Sequence, residues 1–111
     1  MGTKSFLGEF EQMLLLAILR KGDEAYGVEV RRELEECTGK SVTRGAFYTT
    51  LDRLQSKGYL TWEKKPVEGR RGGRPQRHFE VTEEGLEELR RVREAFDNLW
   101  EGLDHVVARS R

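Results

Sequence analysis

Six cations, Lys64, Lys65, Arg70, Arg71, Arg74 and Arg77, stand between Lys64 and His78 against one acid, Glu68. A cluster of this kind neutralises phosphates, or it sits in water as a solvated charge run. Upstream, Arg44, Tyr48, Thr49 and Arg53 follow one another at short intervals behind Thr43 and Gly45. Arginine and short polar side chains on an exposed helix face are what base edges in a major groove require, because they offer donors and acceptors within reach. Any solvated helix face reads the same way by itself. The choice depends on whether the fold sets both groups on one side of the molecule.

The elements that would do so can be read from spacing. Gly8 to Arg20 reads as a helix ending near Lys21-Gly22, with cations in its last turn and glycine after it. Phe10, Met13 and the run Leu14 to Leu19 make it apolar nearly all round, so one face meets the core and another is free to meet a second subunit. Asp23 or Glu24 is expected to start a second helix, about Tyr26 to Glu36, with Tyr26, Val30 and Leu34 as its apolar stripe. Thr43 is the expected N-cap of a third helix, Arg44 to Lys57. Its Phe47, Thr50, Leu51 and Leu54 point inward. Gly45, Thr49, Asp52, Arg53 and Ser56 lie outward, with Arg44 and Tyr48 at the margin. Gly58 closes it.

Tyr59 to Glu63 and Arg77 to Val81 are strand formers around a Gly-rich basic loop, and predict a hairpin with Trp62 packing within it. Thr82 caps the last helix, with Glu83 and Glu84 in its first turn. Leu86, Leu89, Val92, Phe96, Leu99, Leu103 and Val106 form a heptad-like seam. A helix from Glu83 to Val107 would be about 37 Å long, too long to bury that seam on so small a body. Leu89, Val92, Phe96, Leu99, Leu103 and Val106 are therefore expected to pack on a second copy, giving a homodimer.

Helix, helix, helix and a basic hairpin is the order of a winged helix-turn-helix, a mainly α (α+β) fold in which the third helix enters the major groove and the hairpin lies along the backbone or minor groove. The division expected is 1–81 for a DNA-binding domain and 82–111 for a C-terminal dimerisation helix. Thr43, Arg44, Gly45, Tyr48, Thr49 and Arg53 would serve on the helix. Lys65, Arg70, Arg71, Arg74 and Arg77, with Lys64, would serve on the wing. The partner is double-stranded DNA. The alternative is a winged-helix module that docks an acidic protein through its basic wing, and a salt titration with duplex DNA separates the two.

The chain resembles the PadR family of transcriptional regulators in its short form. The matching stretches are Leu14 to Leu19, Tyr26 to Val30, Val42 to Leu54 with Gly58-Tyr59-Leu60, and Gly73 to Gly85. Phe79 stands where that family often has tyrosine. The resemblance implies a homodimeric repressor on a pseudo-palindromic operator, joined by its C-terminal helix with help from the first. It also implies release by a small aromatic, phenolic or hydrophobic effector, for which Trp100, Phe96 and Leu15 are the candidate contacts.

Other function classes find little support. The formal net charge is zero, so the argument for DNA rests on charge distribution alone: eight acids against three arginines from Glu83 to Asp104 oppose the basic cluster. The apolar and charged fractions are both 36%, open to a small domain with solvated helices or to partial disorder, and the regular apolar spacing favours a folded chain. Cys37 is the one cysteine, which excludes an intrachain disulfide and fits a reducing compartment. The apolar run Met13 to Leu19 is too short for a membrane span and no export signal is visible, so a cytoplasmic protein is expected. His78, His105 and Cys37 lack metal-ligand spacing, and His105 with Asp104 and Glu101 could bind a metal only adventitiously, so no metal site is expected. No nucleophile, base and acid assemble, and no cofactor or enzymatic activity is expected.

Overall fold

In the computed structural model of the chain, residues 5–67 and 74–109 are described. Helix α1 (Glu9–Lys21) starts where the Glu11 carboxylate accepts a hydrogen bond from the Gly8 N–H at 2.9 Å. Leu14, Leu15, Ala17 and Ile18 are buried, whereas Leu16 and Leu19 stay exposed. A 3-10 turn, Gly22–Glu24, leads to α2 (Gly27–Thr38). Asp23 and Glu24 thus make the connecting turn instead of opening the helix. The reason is pairing: Tyr26 stays extended and bridges His78, and the Phe79 N–H donates to the Ala25 carbonyl at 2.9 Å.

The stripe of Tyr26, Val30 and Leu34 is buried as its spacing demands. Gly39 ends α2 in the left-handed conformation, φ 72°. The turn that follows is pinned by α2 itself. Arg31 Nε donates to the Val42 carbonyl at 2.8 Å, and Glu35 accepts from the Val42 N–H at 2.8 Å. Thr43 Oγ1 then accepts from the Ala46 N–H at 3.1 Å and starts α3 (Arg44–Ser56). Phe47, Thr50, Leu51 and Leu54 face the core. Two α2 side chains thus hold the backbone of Val42, and the Thr43 cap satisfies an orphan N–H of α3, so the turn between the helices is fixed from both sides.

Strands β1 (Leu60–Lys65) and β2 (Gln76–Val81) pair antiparallel with Leu60 opposite Val81 and Lys65 opposite Gln76. Two strands alone are marginal in water. Leu60 and Phe79 anchor these in the core. Helix α4 (Glu83–Trp100) begins at Thr82, whose hydroxyl donates to the Gly58 carbonyl at 2.6 Å and accepts from the Gly85 N–H at 3.0 Å.

Two expectations are corrected here. The last helix is not continuous to Val107: α4 stops at Trp100, Gly102 takes φ 80°, and a separate α5 (Asp104–Arg109) follows. Residues 1–7 carry no pattern in the sequence and read as loose, but Ser5 to Leu7, the part of them that is described, is packed. Leu7 is buried, and the Arg91 guanidinium lies 4.4 Å over the Phe6 ring and donates to the Ser5 carbonyl at 2.8 Å. The radius of gyration is 16.3 Å, against about 13 Å for a compact domain of this length. The excess fits the end of α4 and α5 standing away from the body.

Candidate nucleic-acid interface

Strand alternation decides which hairpin side chains face α3. Trp62 and Lys64 share a face of β1 with Leu60, and Phe79 and Arg77 are their partners across the ladder. Trp62 Nε1 donates to Gln55 Oε1 of α3 at 3.0 Å. The Arg77 guanidinium lies 4.5 Å over the Trp62 ring and 6.0 Å from the Tyr48 ring centre. The Arg44 guanidinium lies 5.4 Å from that same Tyr48 centre. Both cations meet aromatic faces at cation–π range. An open cleft of about 510 Å³ joins the two elements, lined by Gly27, Arg44, Gly45, Tyr48, Asp52, Gln76 and Arg77. Arg44, Gly45, Tyr48 and Arg77 are thus brought together. Thr43, which caps α3, and Thr49 are exposed on the same helix, and Arg74 is exposed at the approach to β2.

Other residues are placed differently. Lys65 alternates to the opposite face and pairs with Glu63 at 3.5 Å and Glu80 at 4.0 Å, so Lys64, directly opposite Arg77, is the β1 cation on the α3 side. Arg70 and Arg71 lie outside the described residues. Tyr48 turns its hydroxyl end toward Gly27, where a Cβ would meet it at 2.5 Å. Gln55 and Gln76 belong to this region and were not singled out by sequence. Gln55 is marked by the Trp62 indole that donates to it and Gln76 by its place in the cleft beside Arg77, neither of which helical or strand spacing reveals.

Arg53 is held by the core side of its helix. Its Nε lies 3.3 Å from Glu11 Oε2, which also accepts from Lys57 Nζ at 3.0 Å. Glu11 is only 8% exposed. Burial pushes its carboxyl up, but the Gly8 N–H, the Lys57 hydrogen bond and the charges of Lys57 and Arg53 together outweigh burial and hold it below its ordinary value of 4.5. A depressed folded value means stability that is present above the unfolded pKa and lost as pH falls through the folded one. Glu11→Gln is expected to cost about 1–3 kcal/mol at pH 7 in urea unfolding, with the difference from wild type shrinking below the ordinary carboxylate value. An equal difference at pH 7 and at low pH would rule out the ion pair as its source.

Three further groups bear on function. Leu89 is half-buried against the core and Val92 is 5% exposed, so the first part of the expected seam packs on its own chain. Phe96, Leu99 and Trp100 on α4, and Leu103 and Val106 beyond its end, remain exposed. Leu15 is wholly buried in the core, which removes it from any ligand surface. Cys37 is an exposed thiol whose Sγ donates to Glu33 Oε2 at 3.4 Å. That bond to Glu33, with partial desolvation and the same carboxylate's charge, pushes its pKa up, which disfavours the nucleophilic thiolate. Among the described residues no three of His, Cys, Asp and Glu stand together as a metal cage. No helix among them is long and apolar enough to cross a membrane.

A family model described as "Transcriptional regulator PadR-like family" matches residues 15–91. No curated protein matches the sequence. A PadR-like transcription factor from Bacteroides fragilis is 23% identical with a TM-score of 0.66, over 87% of this chain and 88% of that one. A PadR-like transcriptional regulator from Bacillus cereus is 24% identical with a TM-score of 0.65, over 90% and 88%. F93 from STIV, a winged-helix DNA-binding protein, is 18% identical with a TM-score of 0.67, over 86% and 95%. These likenesses show the winged-helix fold.

Proposed function

The chain belongs to the PadR-like family of transcriptional regulators, and we propose that it works in the cytoplasm as a homodimeric repressor on a pseudo-palindromic DNA operator. The family is one of regulators, not of enzymes. The observation that carries the reading is the sharing of one Tyr48 ring by Arg44 of α3 and Arg77 of the wing. It sets helix and wing cations on one side of the molecule, as a groove and its flanking phosphates require.

In this reading Arg44 and Thr49 address base edges, and Lys64, Arg74 and Arg77 address phosphates. Residues 1–81 hold DNA, and pairing falls to the part of 82–111 beyond Val92. Two α3 helices would enter successive major grooves about 34 Å apart. Phe96 and Trp100 are the exposed aromatics that a flat hydrophobic effector would meet on the pairing helix.

The test is binding to duplex DNA across a salt series. The Lys64→Ala/Arg74→Ala double variant is expected to weaken all sequences alike and to reduce the slope of log affinity against log salt by about 2 per chain. A changed sequence preference with an unchanged slope would overturn the phosphate role. Binding to an acidic protein but to no duplex would favour a docking wing instead.

A further inference from the structure

The geometry points to Tyr48 as a positioning residue that sets the wing against α3, with Gly27 providing the room its ring needs. This rests on the reading of α3 and the hairpin as one DNA-binding face. Three elements meet at Tyr48. Its hydroxyl end lodges at the first residue of α2, where a Cβ on Gly27 would stand 2.5 Å from Oη and 3.5 Å from Cζ. Its ring lies within cation–π range of Arg44 on its own helix and of Arg77 on β2. Arg77 in turn covers Trp62, which hydrogen-bonds Gln55 of α3.

A ring packed edge-on against Phe47, at 5.1 Å and 84°, has little freedom to swing. Phe47 is fully buried, so the ring's inner side is fixed. Displacing its outer end therefore moves the surface on which two cations rest. Gly27 does not have a positive φ, so its backbone accepts alanine without strain. Alanine is also the better helix former. Among the described residues, Tyr48 is what a Cβ at 27 meets within 4 Å. A glycine kept for fold stability would behave in the opposite way.

The experiment uses four proteins: wild type, Gly27→Ala, Tyr48→Phe and the double variant. Thermal unfolding, affinity for an operator selected from random duplexes, and the Trp62 indole N–H resonance, assigned with a Trp100→Phe control, are measured on each. Gly27→Ala is expected to melt at or above the wild-type temperature, to bind the operator about tenfold more weakly, and to shift the Trp62 signal. Tyr48→Phe keeps the ring and loses only the hydroxyl, so its affinity is the reference that the double variant is expected to match. The double variant is expected to recover both affinity and the Trp62 signal, because the atom at 2.5 Å is gone and the one at 3.5 Å is in ordinary contact.

Undiminished affinity in Gly27→Ala would overturn the proposal, as would a loss that Tyr48→Phe fails to repair. Weakened binding in Tyr48→Phe alone would assign the hydroxyl to DNA and overturn positioning as its role. If wild type binds no duplex at all while the Trp62 signal still follows the 27/48 pair, the coupling of wing to helix stands and the DNA reading falls.

Discussion

Leu99→Glu is expected to yield a folded monomer that has lost tight operator binding. Leu99 is 71% exposed on the last turn of α4, flanked by the exposed Phe96 and Trp100. Large apolar side chains grouped on one helix end mark an interaction surface. A two-fold interface presents each residue twice, so one substitution places two carboxylates in the apolar seam. Desolvating an unpaired charge costs several kcal/mol, and the free chain does not incur that cost because position 99 is in water. The helix itself tolerates glutamate. Two half-sites bound together gain about 10²- to 10⁴-fold over one, and the variant is expected to forfeit that factor. Sedimentation, melting and operator binding of the same preparation check it. A monomeric variant with wild-type operator affinity would contradict the pairing proposal.

Gly85→Ala is the substitution expected to harm the fold most. A Cβ there would meet the Tyr59 carbonyl oxygen at 2.2 Å and Val81 Cγ1 at 2.8 Å. Neither neighbour can yield cheaply. Tyr59 O already accepts from the Thr82 N–H at 3.0 Å, and Val81 is in the ladder opposite Leu60. The helix must lift off the hairpin, and overpacking of this kind costs about 1–3 kcal/mol or more. Alanine's helix propensity returns up to about 1 kcal/mol, so the net loss should still approach 2 kcal/mol, a melting drop of about 8–15 °C. A melting temperature equal to wild type would show that α4 docks more loosely than the close approach of Gly85 implies.

The core side of α3 was plain in the sequence because local spacing alone determines it: Phe47, Thr50, Leu51 and Leu54 are buried and Thr43 caps them. Strand order and the wing's place in the chain were legible for the same reason. What escaped depends on contacts between distant residues. Arg53 lies on the outward face by helical spacing, but Glu11, far away in sequence, draws its guanidinium. Lys64 and Lys65 are adjacent, and only the register of Leu60 opposite Val81 tells which faces α3. The apolar seam runs through Gly102 without interruption, while the backbone turns there at φ 80° and ends the helix. His78 is polar yet 4% exposed, with Nε2 donating to the Gly22 carbonyl at 3.1 Å. Its burial follows from the pairing of Tyr26 with β2, which periodicity cannot reveal.

Mass by sedimentation of the full chain mixed with a selected operator duplex, at low and at high salt, bears most directly on the central claim. The expected result is two chains on one duplex in dilute buffer, with the complex lost steeply as salt rises and the protein remaining dimeric on its own. One chain per duplex, or free protein that stays monomeric at micromolar concentration and ignores the duplex in dilute buffer, would contradict it.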